Sequence, residues 1–383
     1  MALFEVKVSA PGKVILHGEH SVMYGKFAIA GSLGLRTTIV IKEIEYKFIN
    51  IRLPSVDLVE SLPLNTLKEH LFSSHNLWNR PEELHHEDHL ARVDSCLIKM
   101  VPEFIELQSV KKNSLRGFLY LFTGIFGTFE NGLNVSIQSE LTVGAGTGSS
   151  ASFAVCLSGA FIQLLKLKKG IRSEEFSIED QMLISGWAFN CEKIMHGAPS
   201  GIDNSTCTFG SLVGFRKGEK PILPDYQLNL RILLVDTKVS RQTKVLAGKV
   251  KTLKEWNREA VDCVMDALGH VAMRATEIMK KLSTSSDEDS VVHYQQLAEL
   301  WNMNHCLLSS LGVSHPSLED IRSSAAKYNL ACKLTGAGGG GYAIILIPPT
   351  TDNNRILNLE EELINKGYSV RDTQLGAPGV TLH

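Results

Sequence analysis

Four consecutive glycines near the end of the chain constrain its fold more than any other feature. Residues Leu334 to Gly341 read Leu-Thr-Gly-Ala-Gly-Gly-Gly-Gly, and the apolar run Tyr342–Ile347 follows directly. In regular structure each glycine costs roughly 0.5–1 kcal/mol relative to alanine. Such a segment is useful where the backbone adopts a positive φ or approaches another group closely. Bare N–H groups that converge in this way bind phosphate oxygens, so we expect an anion beside this segment.

A second glycine-rich segment, Gly144-Ala-Gly-Thr-Gly-Ser-Ser150, lies between a predicted strand and a predicted helix. Residues 133–137 alternate apolar and polar side chains, which predicts a strand with one buried face. Ala151–Leu167 is helical by composition, so helix N-terminal N–H groups are aimed at whatever the loop holds. The loop matches neither a Walker A loop nor a dinucleotide fingerprint. Either it binds phosphate or magnesium through Ser149 and Ser150, or it is only a serine-capped helix entry.

The length, composition and charge of the chain limit the classes of protein to which it can belong. Its 383 residues are enough for two domains, and 44% hydrophobic residues are enough for a core in each. The formal charge of −2 argues against nucleic acid as a partner. We expect no membrane span, because no apolar stretch looks long enough to cross a bilayer, and the N-terminus lacks a signal-peptide pattern. Seven cysteines without a Cys-x-x-Cys spacing indicate reduced, mostly buried thiols in a cytoplasmic protein.

Local patterns predict most of the secondary structure. Ser177-Ile-Glu-Asp180 resembles a capping box that opens a helix to about His196, with an inward-facing stripe from Leu183 to Ile194. Gly197 and the turn Ala198–Gly201 end this helix. The other predictions are a strand Phe4–Ser9 that Pro11-Gly12 breaks, strands within Phe27–Ile44, a passage between domains at Ile222–Leu230, a buried strand Arg231–Asp236, mainly helical structure from Thr243 to Tyr328, and a polar loop at Ser283–Asp289.

The segment Ser9–His20 gathers residues that are typical of a catalytic site. It places Lys13, His17, Glu19 and His20 within a short strand–turn setting. A lysine there would neutralise a phosphate or stabilise a neighbouring carboxylate as the anion. The alternative is a surface turn with solvated charges.

Three other places invite a functional interpretation beside a structural one. Glu192 and His196 are spaced i and i+4 on the capped helix; Glu192 would help to hold Mg²⁺ beside a phosphate, or the two form a solvated pair. Asp203 follows the turn Pro199–Ile202, where a carboxylate accepts a hydroxyl proton during phosphoryl transfer or simply caps the turn. His85–His89 suggests metal binding, but its position at a predicted helix N-terminus favours a solvated face.

In this order, the motifs resemble those of the GHMP kinase superfamily, which includes the galacto-, homoserine-, mevalonate- and phosphomevalonate kinases. The segments that carry the resemblance are Ser9–His20, Gly144–Ser152, His196–Asn204 and Lys333–Gly341. The resemblance implies a two-domain α+β fold with the active site in the cleft between the domains. We expect an N-terminal domain at residues 1–225, with the phosphate loop and the catalytic residues, and a C-terminal domain at residues 226–383, with the third motif.

The resemblance also implies roles for individual residues. Asp203 matches the catalytic base, Lys13 the lysine near the reacting oxygens, Ser150 the magnesium-binding serine and Glu192 its partner carboxylate. The positions that match ATP contacts are Lys13, Ser55, Ser139, Gly144, Ala145, Gly146, Thr147, Gly148, Ser149 and Ser150. The positions that match the substrate neighbourhood are Glu19, His20, Thr243 and Gly338.

The implied reaction is ATP- and Mg²⁺-dependent phosphorylation of the 5-hydroxyl of mevalonate, a step toward isoprenoids and sterols. A homodimer and feedback inhibition by prenyl diphosphates are also implied. The chain departs from the family pattern at Thr142-Val143, where Pro-Pro is usual, and at Thr147, where leucine is usual, so we expect a less rigid phosphate loop. The rival interpretations are a kinase of another small alcohol or of phosphomevalonate, and a non-enzymatic nucleotide sensor, which the coexistence of Lys13 and Asp203 disfavours.

Overall fold

A computed structural model describes residues 3–71, 80–126, 129–197, 199–240 and 243–383 of the chain. Helices and strands are mixed throughout, as in the expected α+β fold. The strands are β1 (Glu5–His17), β2 (Ala28–Ile44), β3 (Phe48–Leu53), β4 (Leu58–Pro63), β5 (Gly132–Ser139), β6 (Leu212–Phe215), β7 (Leu230–Asp236), β8 (Cys332–Leu334), β9 (Tyr342–Leu346), β10 (Ser369–Leu375) and β11 (Thr381–Leu382).

The helices are α1 (Leu64–His70), α2 (His86–Met100), α3 (Ser109–Ile125), α4 (Ser149–Lys168), α5 (Ile178–His196), α6 (Ile202–Phe209), α7 (Thr243–Trp256), α8 (Arg258–Leu282), α9 (Asp287–Ser310), α10 (Pro316–Lys327) and α11 (Asn353–Asn365). The helix α5 confirms the predicted capping box, since Ser177 and Asp180 exchange side-chain-to-backbone hydrogen bonds and Gly197 caps the C-terminus. Ala198, in the turn predicted after α5, lies outside the described residues.

The long strand β2 is the centre of the sheet. It pairs antiparallel with β1, β5 and β6, and through the single residue pair Leu33 and Leu375 with β10. The main path of the sheet runs β4-β3-β5-β2-β10-β7-β9-β8. Phe27–Ile44, predicted to hold more than one strand, forms this one uninterrupted strand from Ala28, because β-branched residues continue through its second half.

The helix α4 fills the core of the first half of the chain. It packs against β1, β2, α3 and α5, and 14 of its 20 residues are buried. By length and composition α4 would also qualify as a membrane span, so the expectation of no sufficiently long apolar stretch is wrong for this segment. Its apolar window is 78% buried inside the protein, which makes α4 a core helix.

The second half of the sheet is covered on both faces. Ile232, Leu234 and Ile344 pack into a cluster with residues of α8 and α9, whereas Leu233 and Ile345 pack into a cluster with residues of α10 and α11. This alternation follows the two-residue period of a strand. It confirms the predicted buried strand at residues 231–236.

The strand β1 does not break at Pro11-Gly12 as predicted. It continues to His17 with register shifts at two places, one of them between Pro11 and Lys13. A Cβ at Gly12 would lie 2.7 Å from the carbonyl oxygen of Thr147, so glycine is needed where the phosphate loop approaches the strand. The Pro-Gly pair therefore marks an irregular strand beside a close contact, and not its end.

Two smaller predictions also need correction. The polar loop predicted at Ser283–Asp289 is shorter, because Ser286 caps α9 and the helix begins at Asp287. The solvated face predicted for His85–His89 holds for His85, which is exposed, but not for His89, which is buried and lies 3.1 Å from the carbonyl oxygen of Tyr120. His89 is buried because α2 packs on α3.

The C-terminal residues return to the first half of the chain. The strand β11 pairs with β1, with Ser9 opposite Thr381. The guanidinium of Arg36 donates to the carbonyl oxygens of Pro378 and Gly379 at 2.8 and 2.7 Å. The division of the chain after residue 225 stays a prediction.

Candidate active site

Lys13 lies at the centre of the candidate site because the irregular part of β1 brings it beside the phosphate loop. Its backbone N–H donates to the carbonyl of Thr147 at 2.8 Å, and its Nζ lies 3.5 Å from the carbonyl oxygen of Gly146. A Cβ at Gly148 would approach Cγ of Lys13 to 2.8 Å, so the glycine makes room for the lysine stem. The side chain is only 8% exposed.

The loop Gly144–Ser150 presents backbone N–H groups at the start of α4. Gly144, Gly146 and Gly148 all have φ between 73° and 86°, which non-glycine residues rarely adopt. Across the described part of the chain, no protein acceptor receives the N–H groups of residues 146–148. The first turn of α4 adds further N–H groups without intrahelical partners, together with the positive end of the helix dipole. Free N–H groups at a helix N-terminus are a favourable place for an anion such as a phosphate.

The side chain of Ser150 faces the last turn of α5. Its hydroxyl donates to Oε1 of Glu192 at 3.3 Å and lies 2.9 Å from Nε2 of His196. Glu192 is 1% exposed, and burial together with the nearby charge of Asp203 raises the pKa of its carboxyl to about 8. Burial lowers the pKa of the His196 imidazole. Glu192 and His196 were predicted to be either a magnesium ligand and its neighbour or a solvated helix pair. The structure places a buried carboxyl group, Glu192, and an exposed imidazole, His196, beside Ser150.

Asp203 reaches the same place from the short helix α6. Gly201, with φ +87°, starts the helix and puts Asp203 in its first turn. The Oδ2 atom of Asp203 lies 3.1 Å from Nζ of Lys13, and the aspartate side chain is 32% exposed. A solvent-accessible carboxylate therefore pairs with a buried ammonium at the end of the phosphate loop.

Glu19 lies deeper than its predicted place in the substrate neighbourhood suggests. Its Oε1 is 2.5 Å from Nζ of Lys333, and its Oε2 accepts from the amide of Asn304 at 3.0 Å. The side chains of Glu19 and Lys333 are fully buried. Asn304 in turn lies 3.2 Å from Nδ1 of His17, and burial lowers the pKa of His17 to about 3.

His20 contacts Gly336–Gly341, the glycine run that is the third motif of the family and is named here the third glycine segment. Nε2 of His20 donates to the carbonyl of Ala337 at 2.9 Å. Gly336 and residues 338–341 have positive φ, as the glycine run predicts. An anion is expected beside this segment, but the N–H groups of Gly339 and Gly341 donate to protein carbonyls and do not face such a ligand.

The reason for the run of glycines is close packing against the protein's own backbone. Gly339 donates to the carbonyl of Val313 at 2.8 Å, and Gly341 to that of Val239 at 3.0 Å. A Cβ at Gly338 would lie 2.1 Å from the carbonyl oxygen of Val313. A side chain at position 338 is therefore excluded by the fold itself.

The remaining predicted site residues lie at the edges. Ser139 ends β5, and its hydroxyl is 2.9 Å from that of Thr37. Ser55 is exposed in the short turn between β3 and β4, and Thr243 is exposed at the start of α7. No hydrogen bond or ion pair of the described residues joins Ser55 or Thr243 to Lys13. Ala145 and Ser149 are half-buried within the phosphate loop.

Sequence reasoning named His17 within the segment Ser9–His20 but missed Lys333 and Asn304 as parts of this site. One signal for Lys333 was present, because a lysine interrupts an apolar segment immediately before the third glycine motif. No signal pointed to Asn304, which lies in the middle of a long helix and 285 residues from Glu19.

The residues present fit a magnesium ion only together with phosphates. The described part of the chain contains no cluster of three His, Cys, Asp or Glu side chains that could hold a metal ion. Mg²⁺ is usually held by one or two protein oxygens plus substrate phosphates, and Ser150 with Glu192 supplies such a pair beside the phosphate loop. The buried carboxylate of Glu192, set against a second carboxylate, is also a place where a cation is favourable.

Comparisons with known proteins agree with this arrangement. Models of the N-terminal and C-terminal domains of GHMP kinases match residues 113–211 and 293–365. The chain is 34% identical to the mevalonate kinase of Candida albicans over 97% of this chain and 88% of that protein. It is 33% identical to the mevalonate kinase of Arabidopsis thaliana over 99% of each.

A solved structure supports the fold. The L. major mevalonate kinase in complex with R-mevalonate superimposes with a TM-score of 0.69 at 21% identity, over 97% of this chain and 96% of that one. At that identity the likeness concerns the fold alone. The two relatives above, each more than 30% identical over nearly the full length, decide the family: the chain belongs to the mevalonate kinases of the GHMP kinase superfamily.

Proposed function

We propose that this enzyme transfers the γ-phosphoryl group of ATP to the 5-hydroxyl of mevalonate and releases ADP and 5-phosphomevalonate. The observation that carries the assignment is the 3.1 Å contact between Nζ of Lys13 and Oδ2 of Asp203, at the end of a loop built for phosphate. A base beside a cation, next to a phosphate cradle, is what transfer of a phosphoryl group to an alcohol requires.

The hydroxyl oxygen of the acceptor forms a bond to the γ-phosphorus while the bond from that phosphorus to the β–γ bridging oxygen breaks. The electron pair of that bond leaves with ADP. Asp203 takes the hydroxyl proton at its carboxylate, and its partial exposure leaves room for an alcohol. Lys13 holds Asp203 in place and offsets negative charge on the phosphoryl oxygens, because its Nζ is buried between the carboxylate and the loop.

The other roles follow from position. The N–H groups of Gly144–Ser150 and the N-terminus of α4 would hold the ATP phosphates. Ser150 and Glu192 would hold Mg²⁺, which when bound supplies charge compensation for the phosphate oxygens. Ser55 and Ser139 would contact the nucleotide, and His20 and Thr243 would border the acceptor.

A coupled assay of ADP release across mevalonate, phosphomevalonate, galactose and homoserine tests the assignment. We expect release with mevalonate only. Turnover of another alcohol in preference to mevalonate, or of phosphomevalonate, would replace the substrate but keep the reaction class. Nucleotide binding without turnover of any of the four would instead favour a sensor.

We further propose that prenyl diphosphates inhibit the enzyme by occupying the ATP phosphate site. A diphosphate meets the same N–H groups and the same helix dipole as the phosphates of ATP. The polar hydroxyl of Thr147, where leucine is usual in the family, makes this loop less apolar, so we expect weaker inhibition than is typical. We also propose that the enzyme is cytoplasmic and forms a homodimer, and that its two domains divide near residue 225.

A further inference from the structure

The buried pair of Glu19 and Lys333 needs an explanation other than stability. Both side chains are fully buried. Burial lowers the pKa of Lys333, which the charge of Glu19 opposes. Removing two charges from water is costly, and replacement of a buried pair by apolar residues is often neutral or stabilising. Since such a pair adds little net stability, its use to the protein is that it fixes the positions of the two segments that carry it.

The segments that this pair joins are distant in the sequence and meet beside the end of β1. Glu19 belongs to the Gly18–His20 turn after β1, and Lys333 lies in β8, directly before the third glycine segment. Two further contacts join the same parts of the chain. His20 donates to the carbonyl of Ala337 at 2.9 Å, and the hydroxyl of Thr335 donates to the carbonyl of Ile15 at 2.7 Å.

The backbone at His20 is held in a conformation that it would not adopt alone. Its φ is +59° with ψ −47°, which is unusual for a residue with a Cβ. Such conformations persist only where the surroundings fix them, and they concentrate at functional sites. Here the carboxylate of the preceding residue, Glu19, is fixed by two donors, and the imidazole of His20 is fixed by the glycine segment.

The helix α9 supports both ends of this contact. Asn304 donates to Glu19 at 3.0 Å, and Nδ1 of the next residue, His305, accepts from the N–H of Leu334 at 3.1 Å. One turn of one helix therefore sets Glu19 and β8 relative to each other. No hydrogen bond or ion pair of the described residues connects Lys333 with Lys13 or Asp203.

We propose that Lys333 is a positioning residue for the acceptor side of the cleft, which by clamping Glu19 fixes the strained His20 turn against the third glycine segment. The inference rests on the proposed function, since His20 and Gly338 are the residues expected beside the alcohol. The phosphate side of the cleft has its own supports. Loss of the clamp should therefore weaken use of the acceptor far more than use of ATP.

The first test is the variant Lys333→Met, with kcat and KM measured separately for mevalonate and ATP. We expect kcat/KM for mevalonate to fall on the order of 10²-fold, as for a small misplacement of a substrate-positioning group, with KM for ATP nearly unchanged. A matched control is Leu363→Ala in α11, a fully buried residue of the core cluster that α10 and α11 share with Leu233 and Ile345. It should lower the melting temperature without separating the two KM values.

The single variant leaves a buried carboxylate unpaired, so a second variant guards against simple misfolding. Lys333→Met/Glu19→Gln removes both charges, and we expect its melting temperature to recover while KM for mevalonate stays high. If neither variant folds, Asn304→Ala, which keeps the ion pair, should show a smaller rise in the same KM. Wild-type KM for mevalonate in a folded variant of this set, or equal changes in both KM values, would overturn the proposal. Lack of mevalonate-dependent turnover in the wild-type enzyme would instead refute the proposed function.

Discussion

Replacement of Asp203 by asparagine separates its proposed catalytic role from a structural one. Asparagine keeps the size of the side chain and an oxygen that accepts from Lys13, but it takes up no proton. We expect kcat to fall by about 10²–10⁴-fold, the usual contribution of a general base, which corresponds to about 2.7–5.5 kcal/mol of barrier. KM for ATP should change little, because the phosphate loop does not use Asp203.

The same substitution should have a modest effect on stability. At 3.1 Å and an effective dielectric constant of about 20, two unit charges attract by about 5 kcal/mol before desolvation is counted. Asp203 is one-third exposed, so solvent screens this attraction. A hydrogen bond to a charged group contributes a net of about 1.5–3 kcal/mol, part of which asparagine retains. The variant should therefore stay folded at the assay temperature.

The assay is steady-state ADP release with thermal unfolding measured in parallel. Asp372→Asn is a matched control, because Asp372 also pairs with a cation, Arg231, and is 37% exposed, but no hydrogen bond or ion pair of the described residues joins it to Lys13 or the phosphate loop. Lys13→Met and the double variant with Asp203→Asn complete a cycle, in which residues that act as one unit give strongly non-additive losses. An Asp203→Asn enzyme with near-normal kcat would refute the assignment of the base.

Three further predictions concern the metal, the inhibitor and acid stability. Glu192→Gln and Ser150→Ala should each raise the Mg²⁺ concentration for half-maximal rate by about tenfold or more, since even outer-sphere partners change metal affinity on the order of 10–100-fold; unchanged metal dependence in both would place the ion elsewhere. Farnesyl diphosphate should raise KM for ATP at constant maximal rate and should not compete with mevalonate; an effect on the maximal rate alone, or none, would remove the idea. Burial lowers the pKa of His89 to about 4, so the unfolded chain binds a proton that the folded protein does not, and stability should fall by up to about 3 kcal/mol between about pH 6.5 and 4. His89→Gln should flatten this dependence in urea titrations over pH, whereas the same change at exposed His85 should not.

Local signals predicted the elements that depend on local interactions. The helix α5 begins and ends where the capping box and Gly197 indicate, because both signals satisfy backbone groups within a few residues. The strand β1 was predicted to end too early for the opposite reason. Pro11-Gly12 resembles a turn in isolation, but the bulge there is set by the phosphate loop, some 135 residues later in the chain.

The site residues show the same contrast between what local sequence predicts and what only distant contacts decide. The residue types and their order indicate a phosphate loop, a base and a lysine, but the 3.1 Å contact between Lys13 and Asp203 joins positions 190 residues apart, and no spacing encodes it. The clamp between Glu19 and Lys333 is more distant still, at 314 residues. The roles of Lys13 and Asp203 are therefore inferred from the family resemblance, and the role of Lys333 is inferred from the fold.

The two glycine segments show why composition cannot separate a ligand loop from a packed one. In Gly144–Ser150, positive φ values leave the N–H groups of residues 146–148 without an acceptor among the described residues, at a helix N-terminus where an anion is favourable. In the third glycine segment, Gly336–Gly341, positive φ values turn the N–H groups of Gly339 and Gly341 toward the carbonyls of Val313 and Val239. The difference lies in what the fold places opposite each segment. A positive φ therefore does not by itself identify a ligand loop, because the same backbone conformation serves an open helix entry in one segment and close packing on the protein's own carbonyls in the other.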